Sequence, residues 1–438
     1  MRFLILLSGV FLFAPCAVAI EPGALAADID RLTAQVEPKV IQMRRHLHQN
    51  PELSNREFET AKFVAAALRK LGLEVQTQVA HTGVVAVLRG GLPGPVLALR
   101  ADMDALPVVE ETDLPFASKK RTTFDGKEVG VMHACGHDAH TSILLGTAEV
   151  LSQLKPQLRG TVKFIFQPAE EGAPKGEEGG AQLMVKEGVM RHAPKPEAVF
   201  GLHVFAQWPL GQVLYKSGGA MASADDLTIV VSGKQTHGAA PWQGIDPIVV
   251  ASQIVMGLQT VASRQMNIAK EPVIVSIGKI DGGVRSNIIP DHVTLKGTLR
   301  ALDDDMRADL HARVRRTAEH IAEASGATAA VEIGAETAYP VTVNDPALLQ
   351  RMLPTLSRVA GKDRLSEAEA MLGAEDFSYL AEQAPGLFVF LGARPLGEPA
   401  ERFAANHSPR FHLDEQVLSI GVRTLANLVV DYAATAEQ

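Results

Sequence analysis

The stretch "HACGHDAH", His133 to His140, places one cysteine, three histidines and an aspartate within eight residues. These side chains bind borderline transition metals, act as nucleophiles or move protons. Cys135 and His137 are two apart, so on a helix they would face different sides; in a loop leading into a helix, both reach one ion. A chance polar cluster ahead of a helix is the competing reading. A second group, "FQPAEEG", sets Glu170 beside Glu171 just past an apolar run. Neighbouring side chains of extended backbone point in opposite directions, so one carboxylate can ligate a metal while the other serves as general base. Solvated glutamate pairs are common, and only the position after a strand favours chemistry. Two histidines stand singly, His203 closing "EAVFGLH" and His407 in the polar loop "ANHSPRF". Together, Cys135, His137, Glu171, His203 and His407 suit two metals that share a bridging group, each keeping an open position. Water activated there would attack a polarised carbonyl, with Glu170 taking its proton and passing it to the leaving amine. Asp102 and Asp104, in "RADMDALP", would orient ligand imidazoles from behind, or be solvated aspartates of a strand-end turn.

The same residues permit a different chemistry, with Cys135 as nucleophile and a nearby histidine as base. Of the two cysteines, Cys16 falls in "MRFLILLSGVFLFAPCAVA", a single positive charge, an apolar run and a small-x-small end. That pattern predicts a secretory signal, residues 1–19, cleaved near Ala19, and a secreted or periplasmic protein. Cys135 is then left without an intrachain partner, where an oxidising compartment would make disulfides. A lone thiol there suggests a ligand or nucleophile, with an inert buried cysteine as the alternative. The leading apolar run is shorter than the ~20 residues a bilayer needs. No later segment is expected to span a membrane.

The elements that must carry these residues alternate. With 438 residues, 46% apolar and 21% charged, the chain has the balance of a folded globular protein of two or three domains. A net charge of −8 and the lack of a long basic run argue against nucleic acid as a partner. "REFETAKFVAAALRKLG" has helical spacing. "VVAVLRG", "PVLALRADMDALP", "TVKFIFQ" and "EAVFGLHV" read as buried strands, with "TSILLGTAEVLSQL" helical between them. That alternation predicts an α/β layer with a mostly parallel sheet, whose sites lie at the carboxyl ends of its strands. From about Ala224 the order becomes β-α-β-β-α-β, an α+β ferredoxin-like insert. The expected organisation is a metal-binding domain of residues 20–222 and 338–438 interrupted by a lid and dimerisation domain of residues 223–337.

In "RRHLHQNPEL", "ALRADMDALP", "HACGHDAHT", "QPAEEG", "GLHV", "HGAAPWQGIDP", "SNIIPD", "GTLRA", "GAEDFSYL" and "NHSPRFHLDE", the chain resembles the M20 family of metallopeptidases and amidohydrolases. The likeness is to the branch containing hippurate hydrolases, auxin-conjugate amidohydrolases and N-acyl-amino-acid deacylases. It implies that Cys135, His137, Glu171, His203 and His407 bind two divalent metals per subunit, with Cys135 as the bridge and Glu170 as catalytic base; the mixed sulfur, nitrogen and oxygen ligands admit zinc or manganese first and cobalt or nickel next. It implies a lid whose His237 stabilises the oxyanion, in some members from a partner subunit, and Asn287 and Arg300 as holders of a substrate carboxylate. Asp102-Met103-Asp104 stands where the peptidase branch has His-x-Asp, and "GKQTHGAAPW" departs from the Gly-Gly of many relatives. The expected activity is hydrolysis of N-acyl or N-aroyl amino acids by a homodimer or homotetramer. A dipeptidase or carboxypeptidase of the same mechanism is the near alternative, and a cysteine hydrolase or a non-catalytic binding protein the remote ones.

Overall fold

The computed structural model describes residues 21–435; the expected signal segment and Cys16 lie outside the described residues. Helices α1 (Ala26–Gln49) and α2 (Phe58–Lys70) precede strands β1 (Glu74–Val79), β2 (Gly83–Arg89) and β3 (Leu92–Asp102). A hairpin of β4 (Arg121–Phe124) and β5 (Lys127–Gly130) leads to α3 (His137–Gln153), β6 (Arg159–Gln167), α4 (Gly180–Lys186), β7 (Ala198–Pro209), β8 (Val213–Tyr215) and β9 (Gly218–Met221). The insert contributes β10 (Ala224–Ser232), β11 (Thr236–His237), α5 (Pro247–Thr260), β12 (Val273–Asp281), β13 (Ile288–Ile289), β14 (His292–Ala301), α6 (Asp304–Ala324) and β15 (Thr328–Tyr339). The chain closes with β16 (Thr342–Asn344), α7 (Pro346–Ala360), β17 (Leu365–Glu367), α8 (Phe377–Ala381), β18 (Gly386–Arg394) and α9 (Gln416–Thr435).

The large sheet has eight strands in the order β1-β2-β6-β3-β7-β18-β8-β17. Its centre is parallel at β6–β3, β3–β7 and β7–β18, while β1, β2 and β6 pair antiparallel. This is the mostly parallel α/β sheet the alternating pattern predicted. The central strands are apolar on both faces because both are covered. Leu97, Leu99 and Ala101 of β3 and Val162, Phe164 and Phe166 of β6 point into one core with α1, α3, α7 and α9. The intervening Ala98 and Ile165 point into the other, with α4 and α8.

The separate antiparallel sheet has the order β12-β14-β10-β15, with the side chains of α5 and α6 forming one core against it. Each helix starts where the sequence marks it. Asp246 and Asp303 accept from backbone N–H groups of the first turns, Ile248 and Val249 in one case and Met306 in the other. The crossings between the two sheets are adjacent. Met221 pairs with Thr342, and Ala224 with Tyr339.

Two expectations are corrected. The helix read from Thr141 begins at His137, because Gly136 with φ 100° supplies a sharp entry and Asp138 suits the positive end of the helix dipole. Contrary to the expectation of no later candidate span, α9 is long and apolar enough by length and composition to cross a membrane. Its apolar surface is instead buried, with Leu418, Val422 and Leu425 inside the main core.

Candidate metal centre and active cleft

The carboxyl ends of β3, β6 and β7 are neighbours, so the loops they feed converge. Asp102 ends β3, Glu170 and Glu171 follow β6, His203 lies in β7, and His407 is in the loop after β18. Cys135 and His137 enter from the amino end of α3. Gly136 between them could not carry a side chain, since a Cβ there would lie 2.5 Å from Val204 Cγ2.

The five expected ligands meet around the Cys135 sulfur. Its Sγ is 3.3 Å from His203 Nε2 and 3.3 Å from His407 Nε2. Glu171 Oε1 is 3.2 Å from His407 Nε2 and 3.9 Å from His137 Nε2. Within this cluster Cys135, His137 and His203 form one close triad, and Cys135, Glu171 and His407 another, so the thiol belongs to both. Cys135, His137 and His203 are buried, whereas the ring of His407 is over half exposed.

The hydrogen bonds around the cluster turn the ligand atoms inward, towards one another. His137 Nδ1 donates to Asp104, 2.9 Å from its carbonyl oxygen and 3.2 Å from Oδ1, which turns Nε2 inward as an acceptor. His203 Nδ1 donates to the Val204 carbonyl at 2.9 Å, with the same result. His137 Nε2 is buried without a hydrogen-bond partner, and Glu171 Oε1 faces only the His407 ring. An orphaned acceptor beside a thiol is costly in an apolar interior unless a cation satisfies it. The electrostatics agree. His407 is pushed up to about 10 by its contacts with Cys135 and Glu171. Burial works against charge on His137, yet Asp102 and Cys135 carry it well above the usual imidazole range. A donor set that gathers protons in this way offers the same negative field to divalent cations, which replace those protons on binding. The residues fit a pair of metal ions with mixed sulfur, nitrogen and oxygen ligation.

Glu170 lies beside this cluster with Oε2 3.8 Å from His137 Nε2. Burial first, then the charges of Glu375, Glu171 and Asp376, hold its carboxyl well above the usual range. Its backbone is gripped at both ends, the N–H by Asp104 Oδ1 at 3.1 Å and the carbonyl by the Tyr339 hydroxyl at 2.9 Å. Asp104 also accepts from Glu171 N and Ser54 Oγ. One buried carboxylate therefore orients His137 and both glutamates.

Several residues of this framework were given no role from sequence. Arg100, fully buried on β3, bonds Asp102, Asp376 and Gln167 and ion-pairs with Glu375. His140 is held by Asp102 at Nδ1 and by the Val204 N–H at Nε2, so neither nitrogen is free for a metal. Glu57 accepts from Ala169 N and Thr82 Oγ1, fixing the positive φ of Ala169 just before the Glu170–Glu171 pair. "GAEDFSYL" and "RADMDALP" contain the signal, charged residues embedded in otherwise apolar strand and helix starts.

A cavity of about 400 Å³ opens over the cluster and reaches from Cys135, Glu170 and Glu171 to Met221, Tyr339 and Arg300. Among the described residues, the half-buried Arg300 guanidinium has no hydrogen-bond or ion-pair partner. His237 and Asn287 are not brought to this cleft. They sit on the exposed β11–β13 ribbon, where Gly238 N donates to the Asn287 carbonyl and Ala239 N donates to His237 Nδ1.

Residues 98–431 match the model of peptidase family M20/M25/M40. The chain is 42% identical over 400 residues to thermostable carboxypeptidase 2 of Saccharolobus solfataricus, covering 91% of this chain and 96% of that protein. It is 37% identical over 395 residues to the IAA-amino acid hydrolase ILR1-like 2 of Arabidopsis thaliana, covering 90% and 85%. The crystal structure of the Bacillus subtilis YXEP protein, described as a dinuclear metal binding peptidase, superposes with a TM-score of 0.76 at 36% identity over 92% of this chain and 99% of that one.

Proposed function

The chain belongs to peptidase family M20/M25/M40 and is a metal-dependent hydrolase of amide bonds, and we propose that its substrates are N-acyl or N-aroyl amino acids, cleaved to the free amino acid and a carboxylic acid. The observation that carries this reading is the convergence of four ligand side chains on the Cys135 thiol beside a buried carboxylate of raised proton affinity. Cys135, His137, Glu171, His203 and His407 would hold two divalent ions, zinc or manganese foremost, with Cys135 shared. Bound there, the ions supply Lewis acidity towards an amide carbonyl and acidify water.

The protein's own residues do the rest. Glu170, raised in proton affinity by burial and by Glu375, takes a proton at its carboxylate and returns it to the departing nitrogen. Asp104 and Tyr339 fix its backbone, so the carboxylate meets the reacting water in one orientation. Arg300, in the cleft and without a hydrogen-bond or ion-pair partner among the described residues, takes the free carboxylate of the amino acid. His237, exposed on this chain, supplies an imidazole to the oxyanion from a partner subunit of a homodimer, with Asn287 beside it. The amino-terminal segment would send the protein to the periplasm or outside the cell.

A second reading, a carboxypeptidase or dipeptidase using the same residues, is favoured by the 42% identity to a thermostable carboxypeptidase. The deciding experiment measures bound metal in the purified protein. It then follows amino-acid release from N-acetyl, N-benzoyl and N-indolylacetyl amino acids beside dipeptides. Faster release from the acylated compounds supports the first reading, release from dipeptides alone the second, and release from none overturns both.

A further inference from the structure

Lys163 is the one charged residue in the apolar run of β6. Val162 and Phe164 on either side of it face the main core, while Lys163 shares the opposite face with Ile165 and is only 4% exposed. Its ammonium donates to the carbonyl oxygens of Val189, at 2.7 Å, and His192, at 3.1 Å, both in the segment that follows α4. An ammonium has three N–H donors. The third meets no acceptor among the described residues, and no carboxylate there pairs with the charge. Burial alone pushes the amine down to about 8, with no neighbouring charge acting against it. A cation held inside a protein without a counter-ion is costly, and an anion delivered to it recovers that cost.

The amine lines a cavity of about 320 Å³ over the antiparallel margin of the large sheet. Glu74 pairs with Val87 and Val87 with Lys163, so the three stand in one row across β1, β2 and β6. Val79, Val85, Val87 and Val189 give the cavity an apolar wall. It exceeds the roughly 150 Å³ that holds a benzene ring in an engineered apolar cavity. The other charged groups of the lining are engaged. Arg89 Nε lies 3.0 Å from Glu74 Oε1, and Glu187 accepts from the Ala80 N–H at 2.8 Å. The remaining titratable group, His192, rests its ring against Gly188. One uncompensated positive charge beside hydrocarbon matches a monoanion with an apolar body, whereas a dianion such as phosphate would exceed that charge and meet Glu187. The catalytic chemistry makes no use of this place. Lys163 lies four residues before the end of β6, about 13 Å along the strand from the loops that gather the ligands.

We propose that this cavity is a binding site for a small apolar monocarboxylate, with the carboxylate on the Lys163 ammonium and the hydrocarbon against the valine wall. The site is independent of which amide the metal centre cleaves.

The test measures equilibrium binding of benzoate and isovalerate, beside neutral benzamide and acetate, to the metal-loaded full chain. One equivalent of benzoate should bind without competing with substrate, roughly tenfold or more tighter than benzamide, the margin a charge-assisted hydrogen bond gives. Its affinity should fall as pH rises through about 8, where the amine gives up its charge. Lys163→Met should lose this equivalent. Val87→Glu, which keeps the lysine's carbonyl bonds and sets a carboxylate directly across from it, should lose it too while holding or raising the urea midpoint. Both variants should keep kcat and KM within about twofold, being remote from the cleft. Arg300→Met, which removes the cleft's own cation, should leave the equivalent in place. Benzoate binding that survives both Lys163→Met and Val87→Glu, or that vanishes with Arg300→Met, overturns the proposal, as does benzamide binding as tightly as benzoate.

Discussion

At the level of single residues, the proposed chemistry is divided between the thiol and the neighbouring glutamate. Glu170→Gln keeps the shape and the hydrogen bonds of its backbone but cannot accept a proton, so kcat should fall by a factor of about 10² to 10⁴ with metal content unchanged. Full turnover by this variant would leave the cluster without a catalytic base. Cys135 separates the metal reading from the cysteine-nucleophile reading. A chelator should abolish activity and added metal restore it, while an alkylating reagent should act slowly on the loaded protein because the sulfur is buried among its ligands. Rapid alkylation with activity surviving chelation would favour the nucleophile instead. The sequence made these residues legible because ligands come as distinctive types at strand ends. His140 shows its limit: it shares an octapeptide with two expected ligands, yet Asp102 and Val204 occupy both its nitrogens. Spacing says which residues can meet, not which hydrogen bonds already claim them.

At the level of elements, the strand ends are held by buried charge that an apolar pattern conceals. Arg100 sits on β3 with no exposed surface, surrounded by Asp102, Glu375 and Asp376. Arg100→Met should cost roughly 3–5 kcal/mol, read as a lowered denaturant midpoint, because it leaves buried carboxylates without their cation. Glu57 gives a pH signature. Burial, then the charge of Asp104, pushes its carboxyl from 4.5 up to about 8. The folded chain therefore holds a proton that the unfolded chain has released. That contribution to stability is complete below 4.5 and is lost as pH climbs through about 8. Glu57→Gln should remove this dependence, so urea midpoints of the variant should gain on those of the unmodified protein as pH rises over that window. A constant difference between them would mean that Glu57 is ionised throughout. The α/β alternation and the ferredoxin-like order were readable because each element has its own apolar period. The start of α3 was not, because its first turn is polar and the signal for it is the backbone freedom of Gly136.

At the level of the molecule, one described chain contains the cleft but keeps His237 and Asn287 on an exposed ribbon outside it. If a second subunit completes the site, His237→Ala should lower kcat by a factor of about 10² to 10³. Unfolding and refolding a mixture of His237→Ala and Glu170→Gln chains should then regain activity that neither has alone. A mixture as inactive as its parts would place the imidazole's role within its own chain. Sequence could name this histidine through family likeness but could not say which subunit it serves, since that depends on how two surfaces meet.

The neighbouring crossings, Met221 with Thr342 and Ala224 with Tyr339, have a further consequence. The chain leaves the large sheet and returns to it at almost the same point, so the body sees the whole insert as a short loop whose ends are already together. The insert can thus behave as a cassette. Substitutions, insertions or whole-domain exchange within it alter what is admitted to the cleft without charging the cost to the folding of the sheet that carries the ligands.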